Sequence, residues 1–203
     1  RESGENFSLD HRKSLKEIST SSEELENYIN RILQLTRVEA SKIKLNKDIV
    51  DVNALIEEAI QECQFLATEK KIIIETSLEP IFSIEADSAL IKQVLINLIE
   101  NSIKYSNNKN SNTSRIIISS HESNQRVSVS IADEGAGIAR EELTNVFKKF
   151  YRVKTDKTLS IKGTGLGLYL VKYFIELHQG MVEIDSEPNE GTRITFWLPI
   201  EQE

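Results

Sequence analysis

Asn97, Asn101 and Lys104 stand at i, i+4 and i+7, a spacing that puts two amides and an ammonium on one face of a helix. Burying such a stripe is unfavourable unless something satisfies its polar atoms. Phosphate oxygens and a hydrated magnesium ion would do so, because magnesium takes oxygen ligands and keeps several waters. One amide oxygen plus phosphate oxygens is then enough. A solvated helix face is the alternative reading of the same stripe. Further on, Asp133, Gly135 and Gly137 follow a run ending at Ile131. A carboxylate there can accept a hydrogen bond from the amino group of adenine, and the glycines let the backbone turn and approach a purine closely. The same residues also suit an ordinary strand-exit turn.

A third group is Gly163-Thr164-Gly165-Leu166-Gly167, ahead of an amphipathic helix. Backbone N–H groups at a helix start, with the helix dipole, favour an anion. No strand immediately precedes this loop and no Lys-Ser/Thr pair follows its last glycine, so it is neither a dinucleotide fingerprint nor a Walker loop. The polar, basic segment 154–160 upstream fits a lid over phosphates, or a disordered surface loop. Phe147, Phe150 and Tyr151 are spaced for core packing, while the Arg152 guanidinium suits a phosphate.

The elements that must position these groups follow from periodicity and turn residues. Residues 10–43 read as one long helix with an apolar stripe at Leu15, Ile18, Leu25, Ile29, Ile32 and Leu35, which a lone helix cannot bury. After Lys44 come a strand at 49–52, a helix from an Asn53 cap to about Glu69, and short strands at 72–75 and 82–84. Asp87 caps a helix that runs to Tyr105. Hairpin strands follow at 115–120 and 126–132, then short helices at 140–147 and 165–178. Gly180 is expected to stop the last helix, and a second hairpin covers 181–186 and 193–198. Strands in pairs with intervening helices predict an α/β two-layer sandwich, a mixed sheet covered by helices on one face, preceded by one long helix.

Composition narrows the function. A net charge of −7 argues against sequence-independent nucleic-acid binding. A single cysteine, Cys63, excludes an internal disulfide and suits a reducing compartment. No apolar run reaches the roughly 18 residues of a membrane span, so the expectation is a cytoplasmic chain, any membrane anchor lying in upstream segments. His121 ends a strand, and His178 ends a helix, where positive charge would be welcome.

The order asparagine helix, acidic-glycine turn, aromatic segment and glycine loop resembles the ATP-binding catalytic end of bacterial sensor histidine kinases, from about Leu9 to Ile200. Leu35-Thr36-Arg37-Val38-Glu39-Ala40-Ser41-Lys42 resembles the end of that family's second dimerisation helix. The resemblance implies a helical dimerisation element over 1–44 and an ATP-binding domain over 45–203. It implies ATP and Mg2+ as cofactors, with Asn101 as metal ligand and Asn97, Lys104 and Arg152 beside the phosphates as catalytic residues. Asp133 becomes the adenine anchor. Tyr105, Gly135, Gly137, Ile138, Lys162, Gly163, Thr164, Gly165, Leu166, Gly167, Leu168 and Thr192 complete the nucleotide contacts.

The same fold is shared with gyrase B subunits, mismatch-repair MutL proteins and a large heat-shock chaperone, which carry a glutamate at the position of Asn97. An amide cannot accept a proton from water at neutral pH, so the resemblance points to phosphoryl transfer rather than efficient hydrolysis. Glu100 is about 60° off that face. His11, His121 and His178 lack the family's phosphoacceptor context, so the acceptor histidine is expected outside this chain. The implied partners are a second copy, through a helical hairpin, and a response-regulator receiver domain. The alternatives are an ATP-driven conformational switch and a non-catalytic interaction module of the same fold.

Overall fold

The computed structural model describes residues 9–40, 43–106, 114–153, 161 and 163–200. Lys162, the polar turn at 107–112 and the expected lid at 154–160 lie outside the described residues. The chain divides into two compact units, Arg1–Ile43 and Lys44–Glu203. The first contains helix α1, Leu9–Glu39, whose Leu15, Ile18, Leu25, Ile29 and Ile32 are all exposed. Among the described residues no helix is long and apolar enough to cross a membrane.

The second unit is built on a five-stranded mixed sheet in the order β2-β4-β5-β7-β6. Its strands are β2 (Ile72–Leu78), β4 (Ser114–Ser123), β5 (Arg126–Asp133), β6 (Met181–Glu187) and β7 (Gly191–Pro199). Only β2 and β4 run parallel; the other neighbours are antiparallel. Three helices, α2 (Val52–Glu69), α3 (Ser88–Tyr105) and α4 (Gly167–Leu177), pack against one another and onto the sheet, α2 against β2, α3 against β5, and α4 against β6 and β7. A small antiparallel ribbon pairs β1 (Asp48–Val50) with β3 (Ile84–Ala86).

Strand alternation sets the core. Ile116 and Ile118 of β4, Val127, Val129 and Ile131 of β5, and Ile194, Phe196 and Leu198 of β7 are buried. The residues between them form the opposite face. Two left-handed residues, Asn124 (φ 51°) and Gln125 (φ 60°), close β4 onto β5 in the two-residue turn that matches strand twist.

Several boundaries differ from the sequence expectation. Asp51, not Asn53, caps α2: its carboxylate accepts from the Ala54 N–H at 3.1 Å. Asp and Asn are equally good caps, so local preference could not choose. Asn53 instead donates to the Glu79 carbonyl at 2.8 Å and accepts from the Ser120 hydroxyl at 2.7 Å, tying α2 to the sheet. The helix expected at 140–147 is one 3-10 turn, Arg140–Glu142, continued by successive turns such as Asn145 N–H to Glu142 carbonyl and Lys148 N–H to Asn145 carbonyl. Gly180 does not end α4 by a left-handed turn; Gln179 (φ 59°) does. A glycine is needed at 180 because a Cβ there would sit 2.2 Å from the Trp197 carbonyl oxygen.

His178 does not carry the positive charge that a helix end would welcome. It is 4% exposed. Its Nε2 accepts from the Asp87 backbone N–H at 3.0 Å, and Nδ1 lies 2.7 Å from the Phe174 carbonyl. An accepting Nε2 is unprotonated, and burial pushes the imidazole below its usual 6.5 because the charged form is disfavoured there. Asp87 caps α3 through Leu90 N–H at 3.1 Å and accepts from Asn46 N–H at 3.0 Å. His178 thus joins the end of α4 to the start of α3.

The folded state binds a proton at His178 less readily than the unfolded chain, so this histidine supports stability above about 6.5 and withdraws it as pH falls. Urea unfolding between pH 7.5 and 5 is expected to show the wild type losing stability more steeply than His178→Gln. Parallel pH profiles for the two would contradict this.

Candidate functional site

Asp133 ends β5 on the helix-covered side of the sheet. Its carboxylate accepts from the Gly135 N–H at 2.9 Å, the Ser102 hydroxyl and the Thr192 N–H. Burial nevertheless pushes its pKa up to about 6, the three donors acting in the opposite direction. Thr192 is its register partner on β7.

The turn after Asp133 is held from two sides. Ala136 N–H donates to the Tyr105 carbonyl at 3.2 Å, and Asn189 N–H donates to the Ala136 carbonyl at 2.8 Å. Ser186 accepts from Ile138 N–H at 2.9 Å and donates to the Gly191 carbonyl at 2.6 Å. The glycines follow from this crowding. A Cβ at Gly135 would lie 2.6 Å from both the Asp133 carboxylate and the Tyr105 carbonyl; one at Gly137, where φ is +64°, would lie 1.8 Å from the Glu187 carbonyl.

Beside this turn is a cavity of about 120 Å³, lined by Asn101, Tyr105, Asp133, Ile138, Leu168 and Thr192 among others. One water occupies roughly 30 Å³ of liquid, so the space suits a ring system better than a single solvent molecule. Its lining joins a half-buried carboxylate to apolar walls, which can hold a purine by one polar contact and flat packing.

α3 and α4 meet at one end of the cavity. A Cβ on Gly167 would lie 3.7 Å from Asn101 Nδ2 and 3.9 Å from Asn97 Oδ1. Leu166 gives α4 no side-chain cap, and the N–H groups of a first turn have no intrahelical partner. Asn97 is 3% exposed, and its Nδ2 is buried with no hydrogen-bond partner among the described residues. A buried amide donor beside an uncapped helix start can take anion oxygens. The amide oxygen of Asn101 is the donor type magnesium prefers, so these residues fit a magnesium-bound polyphosphate.

The remaining expected residues are distributed unevenly. Arg152 lines the cavity and donates to the Ile161 carbonyl. Lys104 pairs with Glu100 at 2.6 Å instead. Gly165 (φ +71°) underlies the aromatic segment, where a Cβ would be 2.6 Å from the Phe150 carbonyl carbon. Thr164 Oγ1 accepts from Leu166 N–H at 3.2 Å. A Cβ at Gly163 meets nothing within 4 Å. Phe150 is exposed and left-handed (φ 61°). Phe147 is half-buried, with the Lys172 ammonium 6.0 Å from its ring centre; Val146 takes the buried place and lines the cavity. Sequence reasoning missed Ser102, Ser186, Val146 and Ile194. Their types carry no signal, because only folding brings them to Asp133 or its turn.

A two-layer sandwich with a half-buried strand-end carboxylate, a glycine turn and an asparagine face against a helix start defines a nucleotide-binding ATPase-type domain. Residues 86–202 match the family described as histidine kinase-, DNA gyrase B- and HSP90-like ATPase, and the chain belongs to that family. Among curated relatives, a non-motile and phage-resistance protein of Caulobacter vibrioides is 34% identical over 185 residues, 91% of this chain and 22% of the relative. The sensor-like histidine kinase SenX3 of Mycolicibacterium smegmatis is 28% identical, over 93% of this chain and 48% of its own length. The chain therefore spans between about a fifth and a half of these relatives. A crystal structure of full-length ShkA in complex with AMPPNP superimposes with a TM-score of 0.81 at 26% identity, covering 98% of this chain and 40% of that one. Within the family, the domain is of the histidine kinase ATP-binding catalytic type.

Gly137→Ala is expected to destabilise the fold by at least about 1–3 kcal/mol, the range for a strained backbone conformation, with the clash adding to it. Gly163→Ala should stay within about 0.5 kcal/mol of wild type. Urea unfolding of the two variants checks the contrast.

Proposed function

We propose that this chain is the kinase catalytic part of a two-component sensor histidine kinase. It binds ATP with Mg2+ and transfers the γ-phosphoryl group to a histidine on a dimerisation helix outside this sequence, for relay to a response-regulator aspartate. The observation that carries the proposal is the half-buried Asp133 carboxylate beside a cavity whose other end joins the Asn97 and Asn101 amides to the start of α4.

In this reading Asp133 accepts from the adenine amino group. Tyr105, Ile138, Leu168 and Thr192 pack around the base, and Gly135 and Gly137 keep the backbone close to it. The Asn97 amide donor and the backbone of Gly163, Thr164, Gly165, Leu166 and Gly167 hold the phosphates. Arg152, Lys104 and Lys162 supply positive charge. Magnesium, held by the Asn101 amide oxygen, would neutralise triphosphate charge. The acceptor imidazole forms a P–N bond as the bond to the β,γ-bridging oxygen breaks, and ADP leaves. Catalysis is positioning and electrostatics.

The amide of Asn97 cannot deprotonate water, and Glu100 is engaged by Lys104 at 2.6 Å. Both favour transfer over hydrolysis. The domains are proposed as 1–44, part of a dimerisation hairpin, and 45–203, the ATP-binding domain. The exposed apolar side chains of α1 support a second copy as partner.

Calorimetric titration with ATP and magnesium tests the reading. Binding is expected, with loss in Asp133→Ala and loss of magnesium dependence in Asn101→Ala. Because Asp133 must be ionised to accept well, wild-type affinity should fall as pH drops through about 6, with no such step in Asp133→Asn. A folded chain that binds no ATP would overturn the proposal.

A further inference from the structure

We infer that the open face of the sheet carries a second ligand site, for a small planar aromatic carboxylate, in the groove around Arg126 and Trp197. The register builds it. His121 of β4 pairs with Ser128 of β5, and Ser128 with Trp197 of β7. Ser123 and Arg126 form the next row, beside the Asn124 turn. Their neighbours Ser120, Val127, Val129, Phe196 and Leu198 are buried. Alternation therefore puts this row on the face away from the helices.

These six residues line a concavity of about 470 Å³, inside the range of roughly 300–1,000 Å³ typical of small-molecule sites. Its chemistry is one-sided. Among the described residues no carboxylate lines it, although the chain carries a net charge of −7. Arg126 has no ion pair among the described residues. His121 Nδ1 is engaged by Glu79 at 2.5 Å. The Ser123 hydroxyl and Asn124 amide add neutral donors. Trp197 supplies a flat apolar wall and is only half-buried.

A single exposed aromatic needs no explanation. An exposed guanidinium with no ion pair among the described residues is solvated and needs none either; what distinguishes this one is its place in a concavity walled by indole and lined by no described acidic group. Guanidinium takes a carboxylate through two parallel hydrogen bonds, and an indole packs against a planar ring. One guanidinium matches one negative charge, which favours a carboxylate over a doubly charged phosphate. The site is separate from the nucleotide cavity. Arg126 and Asp133 are seven residues apart on β5, roughly 23 Å, and they face opposite sides of the sheet.

Trp197 is the chain's only tryptophan, so its indole N–H gives a single resonance in a 15N-labelled sample. Titration of the full chain with sodium benzoate is expected to shift that resonance saturably, with a Kd of about 1 mM, ordinary for so small a ligand. Arg126→Ala should weaken binding at least about tenfold, with the rest of the spectrum and the ATP titration unchanged. Benzamide, of the same shape but neutral, should bind at least about tenfold more weakly than benzoate. Absence of a saturable shift, equal binding by Arg126→Ala, or equal binding of benzamide would each overturn the site.

Discussion

A half-buried carboxylate at the end of a central strand is the constraint around which the second unit is organised. Asp133 can remain there only if donors reach it, and it draws them from three elements: Ser102 of α3, Gly135 of the following turn and Thr192 of β7. Each donor fixes its own element relative to the strand. The turn must then fold back tightly enough to present the Gly135 N–H, which removes the room for any side chain at Gly135 and Gly137. Even with three donors the carboxylate stays above its usual pKa. A carboxylate offers about four lone-pair sites, so with three donors it keeps acceptor capacity for a further one, such as an exocyclic amino group.

The second requirement is that α3 and α4 hold a fixed relation, because one carries the asparagines and the other presents the start of a helix to them. Contact at Gly167 sets one end of that relation. His178 sets the other, through Asp87, which itself caps α3. The Asn97 Nδ2, with no partner among the described residues, is an unfavourable feature of this arrangement unless an anion completes it. Stability and function diverge there, as expected where a fold keeps a polar group for a ligand.

The two faces of the sheet divide the remaining chemistry. The covered face is apolar and ends in the cavity beside Asp133. The open face is hydroxyl-rich and carries Arg126 and Trp197, near the turn that joins β4 to β5. The hydrogen-bonded ladder through β5 and β7 is common to both, so neither site can be altered at the backbone without touching the strands that form the other.

The sequence by itself determined the fold class, the order of the strands and long helices, the Asp87 cap and most of the segments that gather around the cavity. These signals are local: helical and strand periodicity, cap chemistry, and glycines where a side chain cannot fit. It also determined the family, because the motifs recur in a fixed order. What it did not determine are the choices made between remote residues. Whether Asp51 or Asn53 caps α2, whether Gln179 or Gly180 turns the chain out of α4, and whether His178 is charged all depend on what lies opposite. Lys104 turning to Glu100, and Ser102 and Ser186 entering the Asp133 network, were decided the same way. Burial and close approach are properties of pairs far apart in the chain, so only the tertiary structure could decide them.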